Sequence, residues 1–268
     1  MSVEIEAIYQ RSHRTYGAPR VHAELTRAGW RCGRKRVARL MRAHRLVGAH
    51  TRRRWRTARP EVSATAADLV RRNFDPIGPD VLWAADVTQI RTGEGWLYLA
   101  AVLDLWSRRV VGWAMGNAVT AELVGDALVM AFQRRRPDHR LVHHSDRGAV
   151  YTSLAFSSRL AELELDQSFS AVGSCYDNAA VESFFATLKR ELAWIHQRST
   201  WPSRAALRTA LFDYIEGFYN PERIQQRLDN RSPIDFEHHA VACQHRVRQA
   251  GSRPRGSSRA DPGMSNGA

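Results

Sequence analysis

The segment from Leu141 to Glu191, LVHHSDRGAVYTSLAFSSRLAELELDQSFSAVGSCYDNAAVESFFATLKRE, restricts this chain more than any other stretch. It opens on an apolar run that ends at Asp146, turns sharply through Arg147-Gly148, and closes on a strongly patterned helix carrying Glu182. Thirty-five residues separate the two carboxylates. Upstream, a second apolar run, VLWAADVTQI, presents Asp86. Three carboxylates, two at or near strand ends and one on a helix, are the donor set that a divalent-metal site for phosphoryl transfer requires.

The helix is fixed by periodicity. At about 100° per residue, Val181, Phe184, Phe185, Leu188 and Leu192 share one narrow stripe, a core face. Asn178, Glu182 and Lys189 fall together on the flank beside it, because positions four and seven apart return to one side. Asp177 or Asn178 suits the N-cap. Glu182 is therefore expected to bind metal, and Lys189 to meet a DNA phosphate or the substrate strand.

Charge points the same way. Lys+Arg is 40 against Asp+Glu 27, a formal net charge of +13, and the arginines bunch as RRRWR and QRRRP. Such a chain is expected to bind a polyanion rather than merely solvate a basic surface. No apolar run reaches membrane-spanning length. The start MSVEIEAIYQ lacks the pattern of a secretory signal, so a cytoplasmic, nucleoid-associated protein is expected. Cys32, Cys175 and Cys243 are far apart and odd in number, which suits free thiols. His13, His22 and Cys32 have no C-x-x-C partner, which argues against structural zinc.

Residues 1–50 read as a small all-helical domain: Val3–Arg11, a second helix opened by Pro19 and stopped at Gly29, and a third over Arg34–His44. The third buries Val37, Leu40 and Met41 while exposing Arg34, Lys35, Arg36, Arg39 and Arg42. Two helices around a Gly-containing turn, the second heavily basic, suggest a DNA-binding helix-turn-helix. A bundle with a solvated basic face is the alternative; concentration of charge on one helix favours DNA. Residues 51–75 read as a basic linker in which Arg52, Arg53 and Arg54 could track a DNA backbone and Trp55 stack on a base. A short helix near Thr65–Arg72 is also expected.

A catalytic core is expected over 76–240. Val81–Ile90, Trp96–Leu105 and Arg109–Met115 read as an antiparallel meander. They are followed by a helix at Ala121–Arg134, a strand at Leu141–Ser145, a helix at Ser153–Leu163, a strand at Gln167–Ser170 and the Glu182 helix. Two further helices follow, the first over Ser203–Tyr219. Residues 241–268 read as a basic, disordered tail. Asp104 reads as structural or as a support to the site, with Arg108 and Arg109 near enough to pair with it. His144 shares a side with Asp146 if the strand alternates. It would then contact metal-bound water or a phosphate, or be a satisfied structural histidine. Asn178 is a further candidate support.

Asp86, Asp146 and Glu182, with 35 residues between the last two and Lys189 seven beyond the Glu, resemble the D,D(35)E transposase and retroviral-integrase pattern. The words HHSDRGAVYTS, CYDNAAVESFFATLKREL, LAAVLDLWSRRVVGW and FYNPERIQQRL…SPIDFE narrow the likeness to second-reading-frame (OrfB-type) transposases of insertion-sequence family three, from roughly Thr15 to Glu237. The resemblance implies an α/β, ribonuclease-H-like mixed sheet flanked by helices, with strands one and four side by side so that Asp86 lies near Asp146. It implies two Mg²⁺ (or Mn²⁺) ions on the three carboxylates, and DNA strand cleavage and strand transfer. As partners it implies the terminal inverted repeats, target DNA, a homo-multimer and a companion first-reading-frame protein. The family pattern carries a His where this chain has Gln225 or Gln226. A decayed copy that only binds DNA is the alternative, and a nuclease or resolvase on the same fold would leave the helix-turn-helix arm unexplained.

Overall fold

The computed structural model describes residues 1–49, 76–170 and 178–251, with side chains through 243. Arg52, Arg53, Arg54, Trp55, the short helix near Thr65, Cys175 and Asp177 lie outside the described residues.

Three helices come first: α1 (Ser2–Arg11), α2 (Ala18–Arg27) and α3 (Arg34–Ala43). Pro19 sits in the first turn of α2, where a missing N–H costs nothing. Gly29, at φ +84°, turns the chain between α2 and α3, a conformation that favours glycine. Ile5, Ile8, Val21, Leu25, Val37 and Met41 pack inside.

A five-stranded sheet follows, in the order β3-β2-β1-β4-β5. The strands are β1 (Leu82–Thr92), β2 (Gly95–Asp104), β3 (Val110–Gly116), β4 (Val142–Ser145) and β5 (Asp166–Phe169). The first three form the expected antiparallel meander, while β4 and β5 run parallel beside β1. Strand alternation splits the sheet's side chains between two apolar layers. Trp83, Ala85, Ala100, Val102 and Val111 pack on α4 (Ala121–Arg135) and α5 (Leu154–Glu162). Leu82, Ala84, Leu99, Ala101 and Leu103 face α6 (Ala179–Ile195) and α7 (Arg204–Phe212). The fold is the expected ribonuclease-H-like α/β sheet with a helix-turn-helix-like region before it.

Helix α4 lies flush on β3 at Gly112. A Cβ there would stand 2.1 Å from the Ala127 carbonyl oxygen and 2.6 Å from the Ala131 nitrogen, both backbone atoms that cannot yield alone. Gly112→Ala must push α4 off the sheet. We expect a loss of about 3 kcal/mol or more, read as a lower midpoint in denaturant unfolding; an unchanged midpoint would refute so close an approach.

Three expectations need correcting. The helix over Ser203–Tyr219 is α-helical only through Phe212, and Asp213–Tyr219 widens into a π-helix. Asn220 follows, and its side-chain amide mimics a peptide by exchanging two hydrogen bonds with the backbone of Val110, each 3.0 Å. The tail expected to be disordered from 241 is instead helical to Gly251, within α8 (Pro233–Gly251). HHAVACQHRVRQA contains neither Pro nor Gly, so nothing in it stops a helix already begun. Finally, Asp104 turns away from the arginines. Its carboxylate accepts from the Asp80 N–H (2.7 Å) and from the Ser107 N–H and hydroxyl (2.7 and 3.0 Å). Arg109 reaches Glu237 instead, at 2.7 Å.

The N-terminal helices are seated on the rest of the molecule. The Tyr16 hydroxyl accepts from the Ile224 N–H (2.7 Å) and donates to the Glu222 carbonyl (3.1 Å). The Trp194 indole donates to the Arg14 carbonyl at 2.8 Å.

Candidate active site

Strand register assembles the carboxylates. Ala85 of β1 is paired in parallel with Ser145 of β4, so the next residues, Asp86 and Asp146, leave adjacent strands at one level. Both continue the even-numbered side of their strands, the side covered by α6. The helix is anchored there by Asn178, whose amide donates to the Ala85 carbonyl at 3.3 Å. Asn178 is the N-cap residue by position, yet its side chain makes no cap bond; it ties α6 to β1. Glu182 is one turn further along the same flank, exposed, and Lys189 two turns beyond it.

Electrostatics show how close these groups come. Burial, and then the charges of Asp146 and Glu182, push the Asp86 carboxyl up to about 6, against the pull of its neighbour's N–H and of Lys189. Lys189 is pushed down by burial and drawn back up by Asp86. The four residues named from sequence are thus electrostatic neighbours. Among the described residues, no three His, Cys, Asp or Glu side chains stand close enough to form a finished metal cage.

The Asp146 carboxylate is steered by its own loop. Its Oδ1 accepts from the Gly148 N–H at 2.9 Å, and a Cβ on residue 148 would come within 2.9 Å of the same oxygen. Glycine lets the turn close under the carboxylate. An open cleft of about 420 Å³ lies beside Asp86 and Asp146, walled by Thr88, Gln89, Tyr98 and Tyr151.

Sequence reasoning missed Tyr151. Its hydroxyl is buried without a hydrogen-bond partner among the described residues, and burial, followed by the charges of Asp86 and Asp146, raises its pKa. The spacing of an aromatic five residues after Asp146 was the available signal. His144 is fully buried, its ring nitrogens 3.1 Å from the hydroxyl of Ser168 on β5 and 3.2 Å from that of Ser170 just beyond the strand. That placement favours the structural reading. His143 faces the other layer, against Tyr151 and Phe156, and burial lowers its pKa to about 3, so it is neutral. Asp104 sits at the β2–β3 turn, where its bonds brace the loop before β1.

The basic helix is as expected: Arg34, Lys35, Arg36, Arg39 and Arg42 are all exposed on α3.

A ribonuclease-H-like sheet with a carboxylate pair at the β1/β4 junction, faced by a carboxylate-bearing helix, defines an integrase-type core. Comparison with known proteins agrees. Residues 77–175 and 182–241 match two models, each described as an integrase core domain, and residues 1–54 match an HTH-like domain. The transposase InsF of insertion sequence IS3A from Escherichia coli is 41% identical over 237 residues, which is 88% of this chain and 81% of that one. An uncharacterized 31 kDa protein of insertion element IS600 from Shigella sonnei is 39% identical over 91% of this chain and 89% of its own length. Among solved structures, a chain of the simian T-cell lymphotropic virus intasome aligns at TM-score 0.52 and 15% identity, covering 91% of this chain and 76% of that one, a likeness of fold. The chain belongs to the IS3-family transposases, DDE-type polynucleotidyl transferases that integrate DNA.

Proposed function

We propose that Asp86, Asp146 and Glu182 are the catalytic carboxylates of this transposase and hold its metal, Mg²⁺ or Mn²⁺, with two ions engaged. The observation that carries this reading is the register: parallel pairing of β1 with β4, and the Asn178 bond to Ala85, bring three carboxylates from distant sequence to one edge. The donor set is all oxygen, which suits a hard divalent cation. The raised Asp86 pKa reflects burial first and then the charges of Asp146 and Glu182, and a bound cation would offset both. When bound, such ions activate the attacking oxygen and stabilise the leaving one in phosphoryl transfer.

The protein's own residues supply position. Asn178 fixes the first turn of α6, Gly148 aims Asp146, and Lys189 offers a cation for a phosphate along the Glu182 flank. Arg34, Lys35, Arg36, Arg39 and Arg42 would grip the terminal inverted repeats, and Arg52, Arg53 and Arg54 would add DNA-backbone contacts of their own. Residues 1–50, 51–75 and 76–240 then act as reader, tether and catalyst. Two element ends and a target imply a homo-multimer working at the nucleoid, in which a first-reading-frame companion adds end recognition. No helix among the described residues is long and apolar enough to cross a membrane.

The test is strand cleavage and joining on a labelled duplex copied from the end of the encoding element, with Mg²⁺ or Mn²⁺, with and without the companion. The expected product carries a 3′-hydroxyl, depends on metal, and disappears in Asp146→Asn and Glu182→Gln while both variants still bind the duplex. Undiminished binding with no product from the wild type would support a copy that binds DNA without cutting it.

A further inference from the structure

Strand β4 pairs with β1 only over Leu82–Ala85, so β1 runs on past Asp86 beside β2 without it. The register with β2 continues there: Val87 stands opposite Ala100, Gln89 opposite Tyr98 and Arg91 opposite Trp96. Strand alternation puts these six side chains on one side of the sheet. Val87, Ala100 and Tyr98 pack into the apolar layer shared with α4 and α5. Beyond them that layer gives out. Gln89 and Arg91 are exposed, and Trp96 keeps 39% of its surface in solvent.

The polar groups of this face are uncommitted. The Arg91 guanidinium lies over the Trp96 ring, 5.6 Å from its centre, and pairs with no carboxylate among the described residues. Glu94, in the turn between the strands, accepts from the Arg204 N–H at 2.8 Å instead. The Trp96 indole N–H, the Tyr98 hydroxyl and the Gln89 amide have no hydrogen-bond partner among the described residues. The face also opens directly onto the candidate active site, because Gln89 and Tyr98 wall the same cleft as Asp86 and Asp146. Arg91 is five residues beyond Asp86 on an extended strand, about 17 Å. That is about five nucleotides at the 3.4 Å rise of a stacked strand.

We propose that Gln89, Arg91, Trp96 and Tyr98 form a platform for unpaired DNA bases, holding the strand that leaves the cleft beside Asp86 and Asp146. Aromatic rings stack on bases of any sequence, and an arginine among them meets the phosphate between two bases. In a closed duplex the bases cover one another's faces. The occupant is therefore a strand parted from its complement. The exposed arginine favours a polyanion, and continuity with the cleft puts that strand next to the phosphodiester being cut. The proposal rests on the catalytic assignment above only for which nucleotides reach the platform.

The test uses the full-length chain without metal and two fluorescent DNAs copied from the element's end through the cleavage point. One is fully paired; the other is forked, with an unpaired flank of about ten nucleotides. Trp96→Ala should weaken binding of the forked DNA about tenfold and leave the paired DNA as in the wild type. Trp96→Phe keeps a ring and should recover most of the loss. Arg91→Gln should weaken the forked DNA about threefold and flatten its dependence of log affinity on log salt by about 0.7. A 2-aminopurine in the flank, within about five nucleotides of the cleavage point, should be quenched by the wild type and not by Trp96→Ala. Equal losses on both DNAs, no loss in Trp96→Ala, or no recovery in Trp96→Phe would overturn the platform. So would a changed oligomeric state in Trp96→Ala with forked-DNA binding intact, which would make the face a contact between proteins. Cleavage by the wild type, followed separately with Mg²⁺, reports on the catalytic assignment. The expected binding pattern without cleavage would keep the platform and remove the carboxylates' role.

Discussion

Asp86→Asn should lower metal-dependent strand cleavage by about 10³-fold or more and, in the absence of metal, make the protein more stable. The two effects share a cause. Burial and two neighbouring carboxylates raise the Asp86 pKa from 3.8 to about 6, so the folded protein holds that proton more tightly than the unfolded chain does. The penalty for the ionised form is full above about pH 6 and vanishes below the unfolded pKa of 3.8. A two-unit shift corresponds to at most about 3 kcal/mol, and solvent screening at this half-buried residue reduces it to about 1–2 kcal/mol. Thermal melts without metal should therefore show Asp86→Asn more stable than the wild type at pH 8 and no more stable at pH 4. Added Mg²⁺ should stabilise the wild type and leave the variant nearly unmoved. A variant that melts lower than the wild type at pH 8 would mean the carboxylate supports the fold instead of straining it.

Arg223→Ala should cost about 3–5 kcal/mol, lowering the melting temperature by roughly 10 °C. Glu191, on α6, is completely buried, and Arg223 reaches both its oxygens at 2.7 and 2.8 Å. The Tyr214 hydroxyl donates to the same carboxylate at 2.8 Å, and Arg20 of α2 stands 3.6 Å away. Burial alone would push the Glu191 carboxyl up; Arg223, then Arg20, outweigh it and hold the group below its usual range. That stabilisation is present above the unfolded carboxylate value of 4.5 and is lost as pH falls through the depressed folded value. Removing Arg223 strands the Glu191 charge in the core, whereas replacing both partners with methionine leaves only Arg20, at the edge of the core, without its counter-charge. The double variant Glu191→Met/Arg223→Met should recover a large part of the loss. If it is no better than Arg223→Ala, the damage comes from lost packing instead.

The acidic trio was legible because its chemistry tolerates few residue types and its scaffolding is periodic. Alternation along β1 and β4 and the apolar stripe of α6 each put a carboxylate beside a core face. What the strands could not show was their order, and the β1–β4 adjacency came from likeness to a family until the register supplied it. Less was legible where the partner lies far along the chain. Tyr16 finds Glu222 and Ile224 some two hundred residues away, and Arg20 finds Glu191; neither partner leaves a local pattern. The same limit applies to His144, whose serines are Ser168 on β5 and Ser170 just past it, while Asp104 misled for another reason, bonding the nearby Ser107 and Asp80 in place of the equally near arginines. The π-helix at Asp213–Tyr219 has no signal in the sequence that we can identify.

The seating of Tyr16 bears on how such a chain could be rebuilt. Its hydroxyl joins the backbone at residues 222 and 224, and Arg20, four positions on, reaches a carboxylate on α6, the helix that carries Glu182. The helix-turn-helix-like region is therefore not a portable cassette. A chimera that grafts another reader onto this catalyst would leave the Ile224 N–H, the face of Phe218 and part of the Glu191 charge without their counterparts. If α3 reads DNA as proposed, retargeting would have to proceed by recolouring its outer face while keeping Tyr16 and Arg20 in place, so that the address varies while the joint stays fixed.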